Sequence, residues 1–447
     1  MRRSKKIQTP NLFEPLLLLM MVLSCPLSWC LEVNQPSPMA SGTTLPSYEF
    51  PYKNGLYATV TGFLKVKNVK LPNERTFKLA IKTFNEKVPV QAVVQDHPAP
   101  LVVILLGISG RANADFCKLW PSWYAEAGYH VLAFDSTFRP EFVKISGHGV
   151  SGNIWAESER VGAIIDAFLK LNDVRNKVSK VGIAGMSYGA VQALMLGRMA
   201  AQGRLPFEVA GIQAYSPPLK LEKTAELLDR WYSEDRWQYT LTELKEKVGG
   251  HTPSDSGEHV PLSESMMRAA VSSSFRLELV DVILRNDEYF KLNLLPRGDS
   301  FDDKEVRKDY AATWGFMRFA YDLALPYWQK RLGASGINEL VQGSHLSELL
   351  RAQPRFSETI LAADDPFNAP EDLSELKSIG AQLPMTILPH GGHLGFIDNP
   401  WTKAKLMTLF DSDGEMYRDK TALRSAVISS RNARKQSRQR HTTGQAK

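Results

Sequence analysis

Apolar positions along the chain fall into two registers. Four short runs, Leu101-Val102-Val103-Ile104-Leu105-Leu106, Lys180-Val181-Gly182-Ile183-Ala184, Thr359-Ile360-Leu361-Ala362-Ala363 and Pro384-Met385-Thr386-Ile387-Leu388, have little polar alternation. Runs of this kind are read as strands of a parallel sheet covered on both faces. Tyr129 to Asp135 and Phe207 to Ala214 read the same way. Helical patterns lie between them. Ile154 to Leu171 puts Val161, Ile164, Ile165 and Phe168 on one face, and Ala190 to Gly197 is rich in Ala and Leu. Strands alternating with helices predict an α/β fold with a mostly parallel central sheet flanked by helices. Ahead of that sheet, Tyr57 to Val66, Thr76 to Thr83 and Val88 to Val94 read as three opening strands. At the far end, Asn399-Pro400-Trp401 opens a last helix reaching about Phe410. Asn399 suits the N-cap, and Pro400 the first helical position, where a missing N–H costs nothing.

The alternation is interrupted once. Ser187 and Asp365 are 178 positions apart, whereas two plain crossover units need about 60 residues. The surplus, 218–345, is rich in helix formers and in aromatics such as Trp231, Trp237, Phe316, Phe319 and Trp328. It predicts a helical cap over the site, with a mobile loop from Gly249 to Gly257.

Charge changes the picture at the two ends only. The net charge of +6 conceals nine basic residues against one acid in 418–447, and four against one in 1–30. The body between them therefore carries more acid than base, which argues against a nucleic-acid groove built into the fold. The start of the chain combines Arg2-Arg3-Ser4-Lys5-Lys6, the apolar run Leu16 to Leu23, and Val22-Leu23-Ser24 as a cleavage pattern. This reads as an export signal, too short for a span of about 20 residues. Three outcomes stay open: cleavage, a lipid on Cys25, or an uncleaved anchor. Each implies an exported protein, periplasmic, secreted or membrane-anchored, and the basic ends allow peripheral membrane contact. The expected organisation is a leader or anchor at 1–30, a linker at 31–54, and a first core segment at 55–217. The cap insertion at 218–345, a second core segment at 346–411 and a basic, disordered tail at 412–447 follow. Three cysteines, Cys25, Cys30 and Cys117, give neither a disulfide framework nor a zinc pattern. Nothing in the chain sets its oligomeric state.

The candidate chemistry centres on Gly185-Met186-Ser187-Tyr188-Gly189, a Gly-x-Ser-x-Gly motif between a strand and a helix. That context defines a nucleophile elbow, in which a sharp turn lifts the serine hydroxyl clear of the sheet and glycines remove the Cβ atoms that would collide. A serine at its free pKa is a poor nucleophile and needs a base oriented by an acid. Both partners follow in the order Ser, Asp, His, each just past a strand. The acid comes from Asp364-Asp365-Pro366-Phe367, with Asp365 preferred. The base comes from Pro389-His390-Gly391-Gly392-His393, where the two glycines favour His393. Two backbone N–H groups should hold a developing oxyanion: that of Tyr188 in the elbow, and that of Ile108 in the turn Gly107-Ile108-Ser109-Gly110-Arg111.

From about residue 55 to 410 these motifs resemble the α/β-hydrolases. The acid loop and Gly391-Gly392-His393-Leu394-Gly395-Phe396 are similar to those of the YheT-like branch of esterases acting on acyl esters. Ser216-Pro217-Pro218-Leu219 and Tyr327-Trp328 are weaker echoes. Leu106 stands where the family often has histidine, and 107–111 lacks the fuller glycine-serine pattern of that branch, which leaves the substrate open. The resemblance implies a serine hydrolase of carboxylic esters that works without metal or organic cofactor on a small-molecule or lipid acyl ester. An acyltransferase or peptidase on the same three residues, and a non-catalytic binding protein that keeps the fold, are the competing readings.

Overall fold

The computed structural model describes residues 45–248, 262–296, 304–343, 345–351, 353–354, 356–379 and 384–410. The expected export leader, the expected linker as far as residue 44, the loop expected from Gly249 to Gly257 and the expected tail from 412 lie outside the described residues.

Among the described residues, eight strands form one sheet: β1 (Arg75–Leu79), β2 (Val88–Val93), β3 (Ala99–Leu105), β4 (His130–Ala133), β5 (Val178–Met186), β6 (Val209–Tyr215), β7 (Ser357–Ala362) and β8 (Met385–Leu388). Their order is β1-β2-β4-β3-β5-β6-β7-β8. β2 is antiparallel to both β1 and β4, and the remaining neighbours are parallel. Alternate residues of β3 serve opposite faces, as the period of two along a strand requires. Leu101, Val103 and Leu105 pack with Ile164, Ile165 and Phe168 of α4 (Ile154–Leu169) and with Met195 of α5 (Tyr188–Ala201). Val102, Ile104 and Leu106 pack with Trp120 and Tyr124 of α2 (Asp115–Glu126) and with Leu406 of α14 (Pro400–Met407). Both faces are therefore covered. Burying each such aliphatic side chain favours folding by about 1.5–3 kcal/mol. As the sequence suggests, Asn399 caps α14, accepting from Trp401 N at 2.8 Å, and Pro400 opens that helix. Strand order, parallel core and covering helices are those of the α/β-hydrolase fold.

The register places four chain turns at one edge. Leu105 pairs with Gly185, Met186 with Tyr215, Tyr215 with Ile360, and Ala362 with Leu388. The turns after β3, β5, β7 and β8 therefore emerge together at the carboxyl ends of the strands, where such sheets hold their ligands.

Tyr57 to Val66 is not the strand that its β-branched and aromatic residues predict. Gly55–Lys65 is a helix, α1. Asn54 accepts from Tyr57 N at 2.9 Å and starts it. Thr59 and Thr61 each turn their hydroxyl onto the carbonyl four residues back, at 2.7 and 2.8 Å. Local strand preference yields to capping and to tertiary packing. Residues 45–54, read from the sequence as the end of a linker, are laid onto the body. Tyr52 is buried, and Tyr48 donates its phenol to His390 O at 2.7 Å.

After β6 the chain builds α6 (Leu221–Asp235), α7 (Leu241–Lys247), α8 (Glu264–Phe290), α9 (Lys304–Ala312) and α10 (Phe316–Arg318). A π-helical stretch, Phe319–Ala324, leads into α11 (Leu325–Gly343), which is interrupted at Gly333, and α12 (Leu346–Arg351) returns to the sheet. Asp229 of α6 ties this segment together. It pairs with Arg276 of α8 at 2.8 Å and accepts from Phe316 N and Met317 N, each at 2.9 Å. Of the other described helices, α3 (Pro140–Ser146) follows β4 and α13 (Pro370–Ile379) follows β7. No described helix is long and apolar enough to cross a membrane.

Candidate active site

Ser187 sits between β5 and α5 with φ 53° and ψ −120°, a conformation that side chains rarely adopt. Its N–H bonds Tyr215 O at 2.9 Å, holding the turn against β6. The glycines around it are required by space. A Cβ on Gly185 would lie 2.2 Å from Gly189 O, and one on Gly189 would lie 2.3 Å from Leu105 O.

The turns after β7 and β8 bring in the other two side chains. His393 Nε2 is 2.8 Å from Ser187 Oγ, and His393 Nδ1 is 2.9 Å from Asp365 Oδ2. The second oxygen of Asp365 accepts from Phe367 N at 2.9 Å, which fixes the carboxylate plane. His393 and Asp365 are each 2% exposed, against 9% for Ser187, so water reaches the relay mainly at the serine. The Phe367 ring meets the imidazole edge to face at 4.5 Å between centroids.

The neighbouring acid and histidine have a different place. Asp364 Oδ1 accepts from Gly392 N at 2.8 Å and so holds the turn that carries His393. Burial raises its carboxyl above the ordinary range, while hydrogen bonds from the Gly392 and Gly391 amides oppose that rise. His390 lies 3.6 Å from Asp364 with its side chain 41% exposed, away from Ser187's hydrogen bond.

Thr59 of α1 is a contributor that sequence reasoning missed. Its buried hydroxyl accepts from His393 N at 2.8 Å while donating to Gly55 O. α1 approaches closely enough for this because a Cβ on Gly55 would lie 1.8 Å from Asp364 O. The opposing turn is equally bare, and a Cβ on Gly392, at φ +58°, would lie 2.1 Å from Gly55 O. One helix thus braces both the acid turn and the histidine turn. The signal in the sequence is the spacing Gly55, Thr59, Gly62, which puts small residues on one helical face.

Ser187, Tyr188 and Ile108 line one cavity of about 380 Å³. Its other walls come mainly from α6, the π-helical stretch and α11, including Leu228, Phe319, Ala324 and Trp328. Of the aromatics in 218–345, Phe316, Phe319, Tyr321 and Trp328 line the cavity, joined by Phe275 from α8. The others serve elsewhere. Trp231 packs on Phe367 at 6.0 Å, Trp314 lies under Arg318, and Trp237 is 79% exposed. The walls are overwhelmingly apolar, so the arrangement can receive an uncharged, hydrophobic group beside a serine hydroxyl paired to an imidazole.

No family model matches the chain, and no curated protein matches it. Among solved structures, an esterase of Pyrococcus furiosus is similar over 77% of this chain and 95% of its own, at 13% identity and TM-score 0.43. Esterase LipW of Mycobacterium marinum is similar over 76% and 81%, at 17% identity and TM-score 0.38. A membrane phospholipase A, a bacterial virulence factor, is similar over 79% and 89%, at 15% identity and TM-score 0.40. At such identities and TM-scores these likenesses say nothing of what this chain does.

Proposed function

We propose that this chain is a serine hydrolase that cleaves carboxylic esters of apolar acyl groups through an acyl-enzyme. The observation that carries the reading is the continuous relay Ser187 Oγ, His393 Nε2, His393 Nδ1, Asp365 Oδ2, with links of 2.8 and 2.9 Å, opening on an apolar cavity. Ser187 Oγ attacks the ester carbonyl carbon as His393 Nε2 takes its proton. Asp365 holds the proton on Nδ1, keeping Nε2 free as acceptor, and stabilises the imidazolium that forms. The Tyr188 and Ile108 amides receive the oxyanion, whose charge develops beside largely apolar walls, where fixed donors count for more than they do in water. Collapse expels the alkoxide, which takes the proton from His393. Water, deprotonated by the same nitrogen, then attacks the acyl carbon and releases the acid and free Ser187.

The cap assignment of 218–345 belongs to the same reading, since that segment supplies most of the cavity wall and so sets which acyl group fits. The resemblance to the YheT-like esterases belongs to it too, because the loops that carry it bear Asp365 and His393. Hydrolysis of p-nitrophenyl esters of rising chain length, with analysis of the products, tests this function. Release of free acid and p-nitrophenol, abolished in Ser187→Ala, is expected. Transfer of the acyl group to an added alcohol in preference to water would favour an acyltransferase, and no turnover by folded protein would refute the reading.

A further inference from the structure

Glu157 is wholly buried on α4, yet all four of its hydrogen-bond donors are neutral. Oε2 accepts from Thr137 Oγ1 at 2.6 Å, from the Tyr188 phenol at 2.8 Å and from Gln192 Nε2 at 3.0 Å. Oε1 accepts from Gly152 N at 2.7 Å. Gln192 also reaches Thr137 Oγ1, so the donors are linked to one another. Three of the donors share Oε2 and one meets Oε1, a set suited to an ionised carboxylate, which only accepts and has no proton to place. Burying that charge without a cation is costly, and such groups are kept where geometry matters.

Two of the four donors belong to the site. Tyr188 and Gly152 both line the cavity beside Ser187. Tyr188 is the first residue of α5, directly after the strained φ of Ser187, and its ring stands edge to face with Phe138 at 5.7 Å. Phe138 in turn meets Phe319 of the π-helical stretch at 5.9 Å. The phenol is therefore a tether at the far end of a side chain whose own backbone N–H directly follows the reacting serine in the chain. Nothing else in the mechanism uses that phenol or this carboxylate.

We propose that Glu157 is a positioning residue for the reaction at Ser187. It anchors the Tyr188 phenol and the Gly152 amide, and so holds the Tyr188 N–H in line with the oxyanion. This rests on the serine-hydrolase reading above. Burial pushes the Glu157 carboxyl up to about 7 against the pull of its four donors, so an ionised share is retained at neutral pH. In Glu157→Gln one oxygen becomes an NH₂ that faces donors, and one anchor is lost. In Tyr188→Phe the tether is cut from the other side.

A double-mutant cycle separates this from a merely structural role. Glu157→Gln, Tyr188→Phe and the double variant are compared in kcat and KM for p-nitrophenyl acetate, in the rate of fluorophosphonate labelling, and in Tm. Each single change should lower kcat and labelling rate about tenfold or more with KM nearly unchanged, since a small misplacement at the reacting centre is enough for such losses. The double variant should be no slower than the worse single, because both act through one contact. A wild-type rate in folded Tyr188→Phe or folded Glu157→Gln overturns the proposal, as do losses that multiply in the double variant. Tyr188→Phe keeps the test decisive if Glu157→Gln does not fold. Wild-type protein that takes no label at Ser187 overturns the hydrolase reading and this inference with it. Labelling that is normal in wild type and in the variants overturns this inference alone.

Discussion

Replacing Thr59 by valine keeps the shape of the side chain and removes one oxygen. That oxygen accepts from His393 N at 2.8 Å, at a site where Thr59 and His393 are each 2% exposed. No water can take its place without opening α1 from the histidine turn. The N–H is then buried without a partner, at a cost of about 1–3 kcal/mol. Tm should fall on the order of 2–4 °C. The same loss loosens the residue that must stay in line with both Ser187 and Asp365, and a shift worth about 1.4 kcal/mol in the transition state slows turnover tenfold. The expected result is therefore a folded Thr59→Val protein with kcat down about tenfold and KM little changed, by the same arithmetic. Thr59→Ser, which keeps the hydroxyl, should restore most of the rate. Steady-state kinetics on a short chromogenic ester, alongside thermal melts, gives both readings. A Thr59→Val enzyme as fast as wild type, or a Ser variant as slow as the Val variant, would refute the bracing role of α1.

Other outcomes follow from the same geometry. Asp365→Asn should cost on the order of 10⁴ in kcat by leaving the imidazole in the wrong tautomer. Asp364→Asn still offers an oxygen to Gly392 N–H, so its loss should be far smaller. Reversal of the two in a side-by-side assay would move the acid by one residue. The Glu157 carboxyl is raised by burial from its ordinary 4.5 to about 7, so between those values the folded chain holds a proton that the unfolded chain releases. Its contribution to stability is complete below pH 4.5 and is lost as pH rises through 7, by about 3 kcal/mol at most. Denaturant titrations of wild type against Glu157→Gln should show that slope in the first only. Phe319→Ala, which enlarges the cavity, should change the preference between short and long acyl esters. Trp237→Ala, at a side chain 79% exposed, should not. Equal effects of the two on chain-length preference would remove the cap's role in selectivity.

What could be read in the sequence was local or periodic. The elbow needs only two glycines, a serine and a strand before them, all contiguous. The acid and histidine turns are legible because an apolar run ends just ahead of each, and parallel sheets collect their loops at one edge. α1 was illegible for the opposite reason. Its β-branched and aromatic residues favour a strand locally, and what makes it a helix, Asn54 at its start and the bare backbone of the two turns it packs on, is partly remote in sequence. The burial of Glu157 was readable in principle, since it falls on the same helical face as Ile154, Val161 and Ile164. Its partners were not, because Thr137, Tyr188 and Gln192 come from other elements. Counting aromatics in 218–345 also misled in part. Trp231 packs on the Phe367 ring and Trp237 is exposed, whereas Phe275, not singled out by the pattern, lines the cavity.

The central claim is that Ser187 is a nucleophile activated by His393. Treating the intact protein with a fluorophosphonate and mapping the adduct by mass spectrometry tests it most directly. The account predicts a single stoichiometric adduct on Ser187, lost in Ser187→Ala and slowed by several powers of ten in His393→Ala, with both variants folded. An adduct on any other residue, or labelling of Ser187 that proceeds as fast without the His393 imidazole, would contradict it.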